Sequence, residues 1–154
     1  MNAVKHFRSR LVGFALRDER GTQLVELAIV LPVAVLLLAS IAEFGRFFHT
    51  YTTLSKATRA GARYLISQQP GTKDAAAQNL VVYGSTTGGT KPVVDKLGAA
   101  NVKVIYNAAA KTTTVRIENY NYEPIFDLGK LTKNTSLSLA VNVGASTTMH
   151  QLAD

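Results

Sequence analysis

The sequence predicts an α+β protein in which a long N-terminal helix is followed by a small antiparallel β-sheet domain. Two observations predict the helix. Residues 24–42 form an apolar stretch of 19 residues with a single charge, and beyond it apolar and aromatic residues recur at three- and four-residue steps as far as Leu65. A third observation predicts the sheet, since three C-terminal segments alternate apolar and polar residues with the period of a β-strand.

The apolar stretch has the length of a transmembrane helix. At a rise of about 1.5 Å per residue it reaches about 28 Å, close to the ~30 Å hydrocarbon core of a bilayer. A single segment can cross lipid only as a helix, because a helix satisfies its own backbone polar groups. Pro32 lies inside the stretch and removes one backbone hydrogen bond, which predicts a kink.

Glu26 is the one charged residue in this stretch, and two interpretations of it stay open. In the first, it lies at the headgroup level near the helix N-terminus, where a negative charge is favoured. In the second, the chain is cut after Gly21, so that the new α-amino group of Thr22 lies one helical turn from the Glu26 carboxylate. An amine and a carboxylate at that range, in one chain or in neighbouring chains, favour each other's ionised forms.

Three segments carry a resemblance to known proteins. Arg-Gly-Thr-Gln-Leu-Val-Glu at residues 20–26, followed by an apolar helix, resembles the prepilin signal of type IV pilins. Ile-Ala-Glu-Phe-Gly-Arg at residues 41–46 and Ala-Thr-Arg-Ala-Gly-Ala-Arg-Tyr at residues 57–64 resemble the TadE-like pseudopilins of tight-adherence (Tad/Flp) pilus systems. The resemblance covers roughly residues 19–65. It implies a pilin-like fold, cleavage between Gly21 and Thr22 by a prepilin peptidase, and a role for Glu26 in assembly.

The predicted organisation is a cytoplasmic leader (1–21) removed by processing, a transmembrane helix (22–42), an amphipathic outer helix (43–68) and a β-rich extracytoplasmic domain (69–154). The leader holds five of the 17 Lys and Arg residues against two acidic ones, and such a charge excess stays in the cytoplasm. The chain is therefore expected to cross the bacterial inner membrane once, with the C-terminal domain in the periplasm or outside the cell. An ordinary secretory signal cut after Ala42 is the alternative. The length of the apolar stretch, Glu26 at its start and the continuing helix pattern oppose it.

The outer helix is expected to pack on two sides. Its aromatic residues suit both an interfacial belt and the docking face of the domain. Small residues would let a neighbouring helix approach in a filament. The residues proposed for helix packing are Pro32, Phe44, Gly45, Phe47, Phe48 and Gly61. Three arginines, Arg46, Arg59 and Arg63, are each expected to be solvated or paired with a carboxylate of a neighbouring subunit.

The domain is predicted in order along the chain. The outer helix ends near Pro70 and a short helix covers residues 74–80 with Asp74 near its N-cap. A short strand is predicted at 81–84. A hairpin joins 102–106 to a return strand that begins at Thr113 and extends to Asn119. Residues 119–124 are predicted as a loop with exposed aromatics, and 137–143 as a third strand. Three to four antiparallel strands would then rest on the outer helix.

Composition excludes several functions. The chain has no cysteine, and therefore no disulfide or thiolate metal site. The segment after Gly21 has a net charge of +4, from twelve Lys and Arg against eight acidic residues, scattered without the basic stripe that nucleic-acid binding requires. No hydrolase or metalloprotease motif is present, so no enzyme activity, cofactor or metal is expected.

The function predicted is that of a pseudopilin or minor pilin for a Tad/Flp-type pilus involved in adherence. Its expected partners are the prepilin peptidase, other pilin or pseudopilin subunits, the Tad secretion machinery and the inner membrane. The alternative is an uncleaved, membrane-tethered binding module, an adhesin. The two hypotheses differ at one bond, because only assembly into a pilus requires cleavage after Gly21.

Overall fold

A computed structural model describes residues 19–127, 129–130, 133–134, 136, 138 and 140–152. The elements of the described residues begin with the α-helices α1 (Glu19–Leu65) and α2 (Asp74–Tyr83) and a short 3₁₀ helix (Ala99–Asn101). The strands β1 (Val102–Asn107), β2 (Thr112–Ile117), β3 (Tyr120–Tyr122), β4 (Val141–Val143) and β5 (Ser146–His150) follow. A long apolar N-terminal helix followed by small antiparallel sheets confirms the α+β prediction. By internal contacts the chain divides into residues 1–41 and 42–154.

The predicted hairpin is confirmed. β1 and β2 pair antiparallel, from Val102 opposite Ile117 to Asn107 opposite Thr112. Every second residue of β2 is buried, which is the period expected of a strand with one face on a core. β5 pairs with the other edge of β2, so the sheet order is β1-β2-β5.

The sequence does not predict β5, because its residues, Ser-Thr-Thr-Met-His, carry almost no apolar alternation. Its position depends on backbone pairing with β2, from Thr112 opposite His150 to Arg116 opposite Ser146. Of the strand predicted over residues 137–143, the structure shows Val141–Val143 as strand β4. Leu137 and Leu139 lie outside the described residues.

The loop predicted over residues 119–124 is wrong. Asn119 adopts a left-handed conformation (φ 56°), which ends the return strand at Ile117 and turns the chain. Tyr120–Tyr122 then forms β3 and pairs with β4. Both tyrosines are buried rather than exposed, because each hydroxyl finds an acceptor inside the domain.

The strand predicted over residues 81–84 is also wrong. Val81 and Val82 are buried in the last turn of α2, and Gly84 ends the helix in a left-handed conformation (φ 75°). The helix begins at Asp74 as predicted, with Lys73 as its N-cap, and ends at Tyr83 rather than at Leu80. The Asp74 carboxylate accepts a 2.5 Å hydrogen bond from the Tyr106 hydroxyl, which joins α2 to β1.

The core lies within residues 42–154, and the second half of α1 contributes one side of it. That helix ends at Leu65, a few residues earlier than predicted. Its buried side chains recur at three- and four-residue steps: Leu54, Thr58, Ala62 and Leu65. Two polar contacts join this face to the C-terminal segment, namely the Thr58 and Thr147 hydroxyls at 3.1 Å and the Leu152 amide donating to the Ile66 carbonyl at 3.0 Å. The prediction that the outer helix packs against a sheet is confirmed. The predicted membership of that sheet is wrong, because its third strand is β5, whereas β4 pairs with β3 in a second sheet.

Candidate functional site

The N-terminal part of α1 exposes its apolar side chains on all sides. Every Leu, Val and Ile from Leu24 to Ile41 is more than half exposed. A helix that is apolar all round and unburied is unsuited to water. Within the described residues α1 is the one helix long and apolar enough to cross a membrane. It is consistent with a single-pass membrane anchor.

The residues of the predicted cleavage site lie at the beginning of this helix. Gly21 is half-buried and Thr22 exposed, two and three residues after Glu19. Cleavage of the Gly21–Thr22 bond stays a prediction.

Glu26 lies one turn further along and is exposed. Thr22 and Glu26 are separated by four residues, a spacing at which helical side chains are neighbours. Glu26 forms no ion pair within the part of the chain that the structure describes. The predicted partner amine exists only after cleavage, so its pairing stays a prediction.

The residues proposed for helix packing have different environments. Pro32 lies inside α1, which runs on to Leu65. A Cβ at Gly45 would meet nothing within 4 Å, whereas one at Gly61 would lie 2.6 Å from Cγ2 of Val81. The absence of a side chain at Gly61 therefore allows α2 of the same chain to pack closely, whereas no atom lies close to Gly45. Packing of either glycine against a neighbouring subunit stays a prediction.

The aromatic residues of the outer helix divide between two environments. Phe47 packs edge-on against Tyr122, with ring centroids 5.4 Å apart, and is partly buried against the core. Phe44 and Phe48, four residues apart, are 64% and 61% exposed. Phe47 thus packs against the domain, whereas Phe44 and Phe48 remain uncovered.

Glu43, the first residue after the apolar stretch, is the most connected side chain of the helix and is only 5% exposed. Its Oε1 accepts a 2.5 Å hydrogen bond from the Tyr122 hydroxyl and lies 3.4 Å from Nη1 of Arg46. Its Oε2 accepts the backbone amides of Ile125 and Phe126 at 3.2 and 3.4 Å. We call this arrangement the Glu43 cluster. Its hydrogen bonds make the burial of a carboxylate tolerable.

Burial and the hydrogen bond to Glu43 raise the pKa of Tyr122 to about 12. The Tyr122 hydroxyl therefore stays protonated across the physiological pH range and donates its hydrogen bond to Glu43 throughout. The Glu43 cluster ties β3 and the loop after it to α1 at the end of the apolar stretch.

The three arginines do not share one role. Arg46 pairs with Glu43 of its own chain, whereas Arg59 and Arg63 are exposed beside Lys56 and Tyr64. Pairing of Arg59 and Arg63 with another subunit stays a prediction. Among the described residues no group of three or more His, Cys, Asp or Glu could hold a metal ion.

Sequence reasoning misses the Glu43 cluster. It singles out Glu43 only as part of the Glu-Phe-Gly-Arg segment and places Tyr122 in a loop. A charge placed directly after an apolar stretch, with aromatics following it, is the available signal. Its partner lies 79 positions away, and no local pattern connects residues at that separation.

Comparison with known proteins agrees with the resemblance. Residues 21–63 match the family model described as TadE-like protein, a stretch that begins at Gly21 and ends two residues before the end of α1. No curated protein and no solved structure matches the chain. The resemblance to TadE-like proteins is thus confirmed over residues 21–63, which are 43 of the 154 residues of the chain.

Proposed function

We propose that this chain is a pseudopilin or minor pilin of a Tad/Flp-type pilus involved in adherence, and that a prepilin peptidase cuts it after Gly21. The observation that carries the proposal is the extent of the TadE-like match. It begins at Gly21 and covers the apolar segment and the outer helix as far as Arg63. A pilin-like subunit needs the cleavage site for processing, and it needs the apolar segment and the outer helix for assembly.

The charges around the apolar segment support an orientation with the N-terminus in the cytoplasm. Four Lys and Arg residues precede Asp18, and a fifth, Arg20, lies directly before Gly21. Basic residues next to a span are retained on the cytoplasmic side. The domain after Ala42 then lies in the periplasm or outside the cell.

The exposed helix surface supports assembly by helix packing. Extraction of an apolar helix from lipid is tolerable only where neighbouring helices replace the lipid. The faces that the domain leaves uncovered, including Gly45 and the apolar side chains from Leu24 to Ile41, are available for such neighbours. The partners are other pilin or pseudopilin subunits of the same machinery.

The test is the intact mass of the membrane-extracted chain after co-expression with a prepilin peptidase. A chain beginning at Thr22 is expected. A start at Met1 under these conditions would contradict processing and favour the tethered adhesin. A start at Glu43 would identify an ordinary secretory signal.

Gly21→Leu is predicted to block this cleavage, because the side chain added beside the scissile bond takes the place of the small residue that the peptidase accepts. The leader offers a matched control, Gly13→Leu, which adds the same side chain away from the bond. Intact mass should show the full-length chain for Gly21→Leu and the processed chain for Gly13→Leu. Normal processing of Gly21→Leu contradicts the assignment.

A further inference from the structure

The loop after β3 exposes two large apolar side chains on an otherwise ordered segment. Ile125 is 68% and Phe126 59% exposed. The residues on either side, Pro124 and Asp127, are buried. Asp127 accepts hydrogen bonds from the Gly129 amide at 2.9 Å and the Ser138 hydroxyl at 3.0 Å. The loop is therefore held at both ends while its apolar tip faces outward.

The tip is fixed beside the end of the apolar stretch. The amides of Ile125 and Phe126 both donate to Oε2 of Glu43, at 3.2 and 3.4 Å. Glu43 follows Ala42 directly, so the residue that holds the tip comes immediately after the apolar stretch along the chain. A buried carboxylate directly after the apolar stretch thus holds the backbone of two exposed apolar residues.

Further exposed aromatic residues of α1 lie close to Glu43 along the chain. Phe44 follows Glu43, and Phe48 lies one turn further on. Positive charge accompanies the aromatic side chains, since Arg46 is about half exposed and Lys130 is exposed shortly after the loop. Aromatic and aliphatic side chains with flanking cations are the composition of segments that enter the headgroup and acyl boundary.

We propose that Ile125 and Phe126, together with Phe44 and Phe48, insert into the outer surface of the membrane that α1 spans. This inference rests on the proposed membrane anchor. The occupant we assign to this surface is lipid, because the surface is continuous along the chain with the apolar stretch. The Glu43 cluster would then set the depth of the domain on the membrane.

The experiment uses the absence of tryptophan from the natural chain. Phe126→Trp places a single fluorescent reporter at the loop tip, and Ile125→Trp repeats the measurement at the neighbouring position. The control is Leu152→Trp, an exposed apolar site whose amide bonds to the Ile66 carbonyl. Ile66 lies 23 residues after Glu43, about 34 Å at a helical rise of ~1.5 Å per residue.

Each full-length variant is reconstituted in phosphatidylcholine vesicles, floated on a density gradient, and compared in ordinary lipid and in lipid brominated on the acyl chains. A side chain about 5–10 Å into the boundary is expected to emit at shorter wavelength and to lose emission in the brominated lipid. The reporter of the Leu152→Trp control should emit as in water and keep its intensity. Because both leaflets carry bromine, the orientation of the reconstituted chain does not affect the result.

Two outcomes overturn the inference alone. In the first, the chain floats with the vesicles and the reporters at 125 and 126 emit as in water. In the second, their emission moves to shorter wavelength but bromine does not quench it, which identifies protein, such as a second copy of the chain, as the occupant. A chain that fails to float overturns the proposed anchor, and this inference with it.

Discussion

At the scale of single residues, the Glu43–Tyr122 hydrogen bond joins two parts of the chain 79 positions apart. Tyr122→Phe is predicted to lower the free energy of unfolding by about 1.5–3 kcal/mol, the usual value of a hydrogen bond to a charged group. Tyr51→Phe is the control, because the Tyr51 side chain is exposed and makes no hydrogen bond within the described residues. Urea unfolding in detergent micelles measures the difference, and equal losses in both variants contradict the role assigned to this bond.

The same hydrogen bond has a consequence at alkaline pH. The pKa values of Tyr122 and Tyr106 are raised to about 12 by burial and by their bonds to Glu43 and Asp74. An unfolded tyrosine releases its proton near pH 10, so between about pH 10 and 12 the folded chain holds more protons. The stabilisation is complete below pH about 10 and is lost as the pH rises to about 12. In the Tyr122→Phe variant the free energy of unfolding should therefore fall less steeply between about pH 10 and 12. The pH dependence that remains should come largely from Tyr106.

Thr113 is a second residue whose environment predicts a stability change. It is fully buried, and its hydroxyl has no hydrogen-bond partner among the described residues, which costs desolvation energy. Thr113→Val keeps the shape and is expected to stabilise the fold by about 1 kcal/mol. Thr58→Val is the matched control, because the buried Thr58 hydroxyl lies 3.1 Å from both the Ser55 carbonyl and the Thr147 hydroxyl. It should lower the melting temperature while Thr113→Val raises it; a lower value for both would contradict the assignment.

At the scale of elements, the contact between α1 and α2 depends on the absence of a side chain at Gly61. An added Cβ would lie 2.6 Å from Cγ2 of the buried Val81, a β-branched residue with little freedom to move. Gly61→Ala should therefore lose about 1–3 kcal/mol to overpacking, against a gain of about 1 kcal/mol in helix propensity. Gly45→Ala has open space and should show the gain alone. Thermal unfolding monitored by circular dichroism compares them, and equal shifts would contradict the close approach.

At the scale of the whole molecule, the proposed assembly depends on a charge that the isolated subunit leaves exposed. Glu26→Ala is predicted to leave the chain in the membrane but to lower its recovery in sheared pili, because the Thr22 amine loses its partner. Asp95→Ala is the control, since it removes an exposed carboxylate of the domain. The measurement is the amount of the chain in sheared and membrane fractions. Unchanged recovery of Glu26→Ala would contradict its role in setting the register of subunits.

Local patterns were sufficient for the elements with a clear period. The apolar stretch, the helix face ending at Leu65 and the hairpin of β1 and β2 follow from side-chain spacing, because neighbouring positions on one face meet the same environment. The TadE-like segment was recognised for the same reason, since its motifs lie within residues 19–65 of one continuous helix.

Tertiary contacts decided the remainder. Val81 and Val82 have strand propensity but end a helix, because α2 buries them. β5 has no apolar alternation and exists through pairing with β2. The burial of Tyr122 and the outward position of Phe126 depend on Glu43, across a separation of 79 to 83 residues. Contacts at that distance leave no period in the sequence, because they join groups whose neighbours along the chain have different environments.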